Sequence, residues 1–141
     1  MYTPISVTAA TLTVTAASHQ GATLVLNRAA GTTVTLPAAT GSGYKYTFVV
    51  GTTVTSNSDK IQVANSSDVM TGVAINAADG GDTAVMFETA ATSDTITLNG
   101  TTTGGVKGDR VEVEDVAANL YYVRVVGSAT GTEATPFSAA V

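Results

Sequence analysis

The chain has 141 residues, 44% hydrophobic and 12% charged, with a formal net charge of −5 and neither cysteine nor tryptophan. Such a length fits one domain, able to hide about 68–70% of its unfolded surface. The acidic balance, with no cluster of Lys or Arg, argues against a nucleic-acid partner, and the missing cysteines exclude disulfides and thiolate chemistry.

Alanine makes up much of the hydrophobic fraction, so the core is expected to be thin, and a chain short of bulky side chains gains by burying surface against a neighbour. Threonine supplies nearly a fifth of the residues. With valine it fills the chain with β-branched side chains that suit a pleated sheet better than a helix.

In chain order, the opening MYTPISVTAATLTVTA carries no basic leader and no continuous apolar run. No secretory signal or membrane span is read there, and folding in the cytoplasm is expected. Alternating runs follow: TLTVT from Thr11, ATLVLN from Ala22, TTVTL with Val34 and Leu36 on one face, and YKYTFVV with Tyr44, Tyr46, Phe48 and Val50 as core candidates. KIQVA from Lys60, TAVMFE from Thr83, DTITL from Asp94, RVEVE from Arg110 and LYYVRVV from Leu120 continue the series. Between them SHQG, RAAG, ATGSG, SNSD, NAADGGD and NGTTTGG are clusters of turn residues. This punctuation predicts an all-β fold, a single-domain antiparallel β-sandwich or barrel with little or no helix. DVAANL, residues 115–120, offers one helical turn at most. TVTLPAATGSG…YTFVVG is echoed by TITLNGTTTGG…YYVRVVG, which reads either as two similar hairpin units or as the sameness of threonine-rich composition.

The glycine-rich stretch TITLNGTTTGGVKGDRVEVED, residues 95–115, fails as a phosphate loop. That loop needs Lys followed by Ser or Thr opening a helix, whereas Lys107 precedes Gly108, a phosphate-repelling Asp109 and an alternating strand. A turn beginning at Asn99-Gly100 and a strand with Val111 and Val113 on one face are expected instead. Asn76, Asp79 and Asp82, and separately Glu112, Glu114 and Asp115, are hard oxygen donors suited to calcium, but neither set follows the EF-hand spacing. On a strand Glu112 and Glu114 share the solvent face, so a solvated acidic stripe is expected and no metal or cofactor. His19 is the only histidine, which excludes a multi-histidine zinc site within one chain. Gly41-Ser42-Gly43 has the wrong spacing for a nucleophile elbow and reads as a flexible turn. Asn65 and Asn99 fit the glycosylation sequon, which matters only in a secretory route. No catalytic set emerges, and the chain is not expected to be an enzyme.

The strings TLPAATGSGYKYTFVVG, FETAATSDTITLNGTTTGGVKGDRVEVEDV and GTEATPFSA resemble small head decoration (cement) proteins of tailed bacteriophages, over most of the chain from about Gly21 onward. Tyr121-Tyr122 stands where such a hairpin often carries tryptophan. The resemblance implies a homotrimer on the outer surface of the capsid, made in the host cytoplasm, that clamps major capsid protein subunits together, with no nucleic-acid or membrane partner and no catalysis. Within it, residues 1–15 read as an extended arm on a β-rich decoration domain of residues 16–141. Pro4 discourages a helix, and Tyr2, Ile5 and Val7 would be the capsid-contact anchors as the arm adds to a strand edge. An ordinary first strand or a frayed end fits those residues as well. Competing readings are a phage fibre or receptor-binding β module and an immunoglobulin-like bacterial adhesin domain.

Overall fold

The structure, a computed structural model, describes residues 3–141. Among them are twelve strands and one helical turn: β1 (Ile5–Val7), β2 (Thr11–Thr13), α1 (Ala16–His19), β3 (Thr23–Leu26), β4 (Thr33–Thr35), β5 (Lys45–Val50), β6 (Asp59–Gln62), β7 (Val69–Ala78), β8 (Thr83–Glu88), β9 (Thr95–Leu98), β10 (Arg110–Ala117), β11 (Leu120–Ala129) and β12 (Phe137–Ser138). They form a seven-stranded sheet in the order β1-β3-β5-β10-β11-β7-β8 and a five-stranded sheet in the order β12-β9-β6-β4-β2. The two sheets pack together as an all-β sandwich.

Both sheets are mixed, which corrects the antiparallel expectation. From β1 to β6 the chain alternates between sheets, so each strand returns beside its predecessor after two reversals and lies parallel to it: β1 with β3, β3 with β5, β2 with β4, β4 with β6. β11 and β7 are parallel as well. Most glycine clusters therefore carry the chain from one sheet to the other. Only NAADGGD, between β7 and β8, and Ala118-Asn119, between β10 and β11, close hairpins. Asn119 takes φ 62 in the second of these, where a helical turn had been the alternative. The one helical turn is α1, in the alanine-led AASH, with the Thr15 N–H donating to His19 Nδ1 at 2.9 Å.

Alternation builds the core. One inward row crosses all seven strands, Ile5, Leu24, Phe48, Val111, Val125, Ala74 and Phe87, and is met by Leu12, Val34, Ile61, Ile96 and Phe137 from the other sheet. The middle of each row is fully buried, and the outer members Ile5, Leu12 and Phe87 are partly buried. Tyr46, Phe48 and Val50 are core residues as expected, whereas Tyr44 precedes its strand and is 42% exposed. Tyr121 is buried and its hydroxyl donates to the Pro37 carbonyl at 2.8 Å, which satisfies the one polar atom it brings inside.

β7 was not anticipated from the sequence, yet it makes the longest ladder, ten residues against β11. Its Gly72 explains why the pattern is broken. A Cβ there would run into the Val123 carbonyl oxygen on β11, so the strand needs the glycine that interrupts its apolar pattern. The echo between the two halves is not a structural repeat: β5 and β11 both run antiparallel to β10, while β4 and β9 flank β6 in opposite directions.

Candidate docking surface

Five aspartates are buried, Asp59, Asp68, Asp94, Asp109 and Asp115, and each ties a loop to the sandwich by accepting backbone N–H groups. Asp115 receives N–H groups of Thr40, Gly41 and Ser42 at 2.7–3.2 Å and the Ser42 hydroxyl at 2.6 Å. Burial pushes its pKa up, but the Ser42 hydroxyl and those N–H groups outweigh it and hold the carboxyl below its ordinary value. Asp109 accepts from Gly105, Val106 and Ser128, and there burial wins and its pKa is raised. Asp68 holds Ala39, and Asp94 holds Ala140 and Val141. Asp59 accepts only the Thr32 N–H, its second oxygen has no partner among the described residues, and burial lifts its pKa to about 6.

These anchors separate the acid sets read from the sequence. Glu112 and Glu114 lie on the outer face of β10 as expected, but Asp115 turns inward. In NAADGGD, Asn76 is buried with no hydrogen-bond partner for either amide atom among the described residues, Asp79 accepts the Gly131 N–H at 2.8 Å, and Asp82 is exposed. The sequon side chains are likewise engaged: Asn65 Nδ2 donates to Asp68 and Asn99 Nδ2 to Thr102. Among the described residues no three His, Cys, Asp or Glu gather as a metal site, and no helix is long and apolar enough to cross a membrane.

The outer faces of the two sheets differ. On the five-stranded sheet the rows turned away from the core are Thr13, Thr35, Gln62, Thr95, Ser138 and Thr11, Thr33, Lys60, Thr97, a polar ladder in which Thr95 is buried, Thr33, Thr35, Lys60, Gln62 and Thr97 are half-buried, and Thr11, Thr13 and Ser138 are exposed. On the seven-stranded sheet one outward row reads Ser6, Val25, Val49, Arg110, Val126, Ile75, Met86, and the next reads Thr23, Thr47, Glu112, Arg124, Val73, Glu88. Val73, Ile75, Met86, Tyr122 and Val126 are all exposed there, Met86 to 72%. Beside this apolar strip lies a charged one, where Lys45 meets Glu114 at 3.8 Å and Glu112 stands opposite Arg124. A shallow trough of about 460 Å³ runs over it, lined by Lys45, Thr47, Glu112, Glu114, Tyr122 and Arg124. Lys45, Arg110 and Arg124 balance Glu88, Glu112 and Glu114, so this face is neutral on a chain of net charge −5.

The residues expected as anchors are placed elsewhere. Tyr2 lies outside the described residues. Ile5 and Val7 share the inward face of β1, Val7 being 6% exposed, and pack on the core instead of reaching for a partner. Residues 5–7 and 11–13 are edge strands of the two sheets, so no break in the fold marks the expected boundary after residue 15. The apolar strip on β11, β7 and β8 was missed as a surface because its alternation reads the same whichever face is buried. Compared with protein-family models, curated proteins and solved structures, the chain matches none.

Proposed function

We propose that the chain is a capsid decoration protein of a tailed bacteriophage, binding the outside of the assembled head and bridging major capsid protein subunits. The observation that supports this reading most is the outer face of the seven-stranded sheet, where a contiguous apolar strip adjoins an internally balanced charged strip while the opposite face is a polar ladder. A one-sided surface of that kind suits attachment to a larger assembly with the other side left in water. The resemblance of TLPAATGSGYKYTFVVG and its companion strings supplies the identity of that assembly. In this reading the chain transforms no substrate. Attachment moves from the N-terminal segment to Val73, Ile75, Tyr122 and Val126, because Ile5 and Val7 are spent on the core. Copies clustered around a symmetry axis of the shell, as in the implied homotrimer, multiply weak contacts through effective concentrations that reach the millimolar range.

The test is co-sedimentation of the purified protein with undecorated shells, followed by heating of the complex. Binding that raises the shell's resistance to heat is expected. Shells that pellet alone, or affinity for host cells or glycans instead, would replace this reading with the fibre module.

A further inference from the structure

Strand β8, TAVMFE, ends the seven-stranded sheet. The Thr89 N–H donates to the Gly72 carbonyl at 3.1 Å, and on the other side of β7 the Val69 N–H donates to the Asn119 carbonyl at 3.0 Å. These bonds fix the alternation. Odd-numbered residues of β8 face β7, and Ala84, Met86 and Glu88 turn their N–H and C=O groups to the open edge. The edge has little of the usual protection, since no Pro, Lys or bulge interrupts it and its single charge, Glu88, stands at its end. Its composition is also out of place: AVMF is what a strand covered on both faces looks like, yet Met86 and Ala84 are exposed outside and Val85 and Phe87 are only half-buried inside.

We propose that β8 pairs antiparallel with β8 of a second copy of this chain about a two-fold axis at Met86. The backbone and the charges select that register. With Met86 facing its own copy, Ala84 faces Glu88, so all three edge-facing residues exchange bonds in both directions, and inside the sheet Val85 comes to lie beside Phe87. Sliding one strand by two residues one way sets Asp82 opposite Glu88, and sliding it the other way leaves only two edge-facing pairs. In the favoured register the two Glu88 are four residues apart along the strands, roughly 13 Å, beyond the screening length of about 8 Å at physiological salt. An isologous contact of this type is self-complementary and closes after two copies. The axis stands perpendicular to the sheet, so both outer faces point the same way. The pair deepens the decoration reading, on which that last consequence rests, by presenting one doubled face to the shell from a two-fold pair in place of the implied trimer.

Sedimentation over a wide range of concentration, with single-cysteine variants, tests this. Wild type is expected at twice the 14.1 kDa of one chain. Met86→Pro removes an N–H that β7 does not use, a position where an edge strand tolerates proline, and is expected at the mass of one chain. Met86→Lys, which sets two cations at the axis, is expected to do the same and decides the matter if the proline variant fails to fold. Facing Cα atoms in such a pair are about 5.5 Å apart, within disulfide reach, so on oxidation Met86→Cys links to itself. Ala84→Cys does not link alone but does when mixed with Glu88→Cys. Because the native chain has no cysteine, each link is diagnostic. Wild type at the mass of one or three chains, or a two-chain species that survives both Met86→Pro and Met86→Lys, overturns the proposal. Pairing without shell binding would remove the decoration reading and leave the pair standing, and shell binding by single chains would do the reverse.

Discussion

Across the five-stranded sheet the outward residues run Thr13, Thr35, Gln62, Thr95, Ser138, and across the seven-stranded sheet they run Val25, Val49, Arg110, Val126, Ile75, Met86. Threonine and valine have nearly the same shape and both favour strands, so the demands of folding do not choose between them on an exposed face. The threonine ladder forms its strands with polar side chains on the side turned from the core, Thr95 being the one buried member. Valine, isoleucine and methionine stand in equivalent positions on the other sheet, and the proposed docking role would account for them.

The largest effect that breaks this contrast is expected from Gly72→Ala. The new methyl meets the Val123 carbonyl, a backbone atom that cannot swing aside, so the β7–β11 ladder must shift. A loss of about 3 kcal/mol or more is expected by chemical denaturation, with the apolar face disrupted first. A variant as stable as wild type would mean that β7 does not pair as described.

Next in size is Asp59→Asn, on the five-stranded sheet. Burial raises the Asp59 pKa from 3.8 to about 6, against the opposing pull of the Thr32 N–H. The folded state thus holds its proton more tightly than the unfolded state. Below pH 3.8 both states are protonated and the group contributes nothing; as pH rises towards 6 the fold loses stability, and above 6 the penalty is constant. That penalty is at most about 3 kcal/mol. Asp59→Asn is expected to be more stable than wild type at pH 7 by about 1–3 kcal/mol, with the difference vanishing in acid. Thermal melts of both proteins from pH 3 to 8 measure it, and a difference that does not change with pH would contradict the buried, half-satisfied carboxylate. Asp109, also raised, and Asp115, lowered, contribute equally to both proteins and cancel in the subtraction.

Converting one face into the other is subtler. Ile75→Thr with Val126→Thr extends the polar ladder's chemistry to the apolar strip, and at sites 38% and 48% exposed the expected cost is within about 1 kcal/mol. Shell binding is expected to fall at least about tenfold, while Thr35→Val on the other face leaves it unchanged. Equal binding by all three proteins would remove the functional meaning of the contrast. Smallest of all is Lys45→Ala: the 3.8 Å contact with Glu114 is well exposed, and its loss is expected to shift stability by no more than about 0.5 kcal/mol.

Nine of the twelve strands were legible as alternating runs, because their apolar side chains recur at every second residue. The parallel pairings were not, since a glycine cluster that reverses the chain looks the same whether it closes a hairpin or crosses to the second sheet. β1 was legible only as one of three readings of the N-terminal segment, and β12 is too short for a pattern. The aspartate anchors share a signal of which only SNSD was read, and that as a turn: SNSD, NSSD, ATSD and VKGD each place a small residue and then Asp at the entry to a strand, and each Asp is buried. What no periodicity reveals is which exposed apolar row lacks a partner, because that depends on how many strands lie beneath it.

The joining of the two halves has a consequence for synthesis. β5 pairs with β10 and β6 with β9, strands encoded much later, so until those emerge from the ribosome the first six strands lack the partners that flank them in the finished fold. These pairings are long-range in sequence, the kind of contact that slows folding and leaves nascent chains open to capture by their neighbours. A cell crowded with copies would therefore do best to finish each chain before the next one meets it.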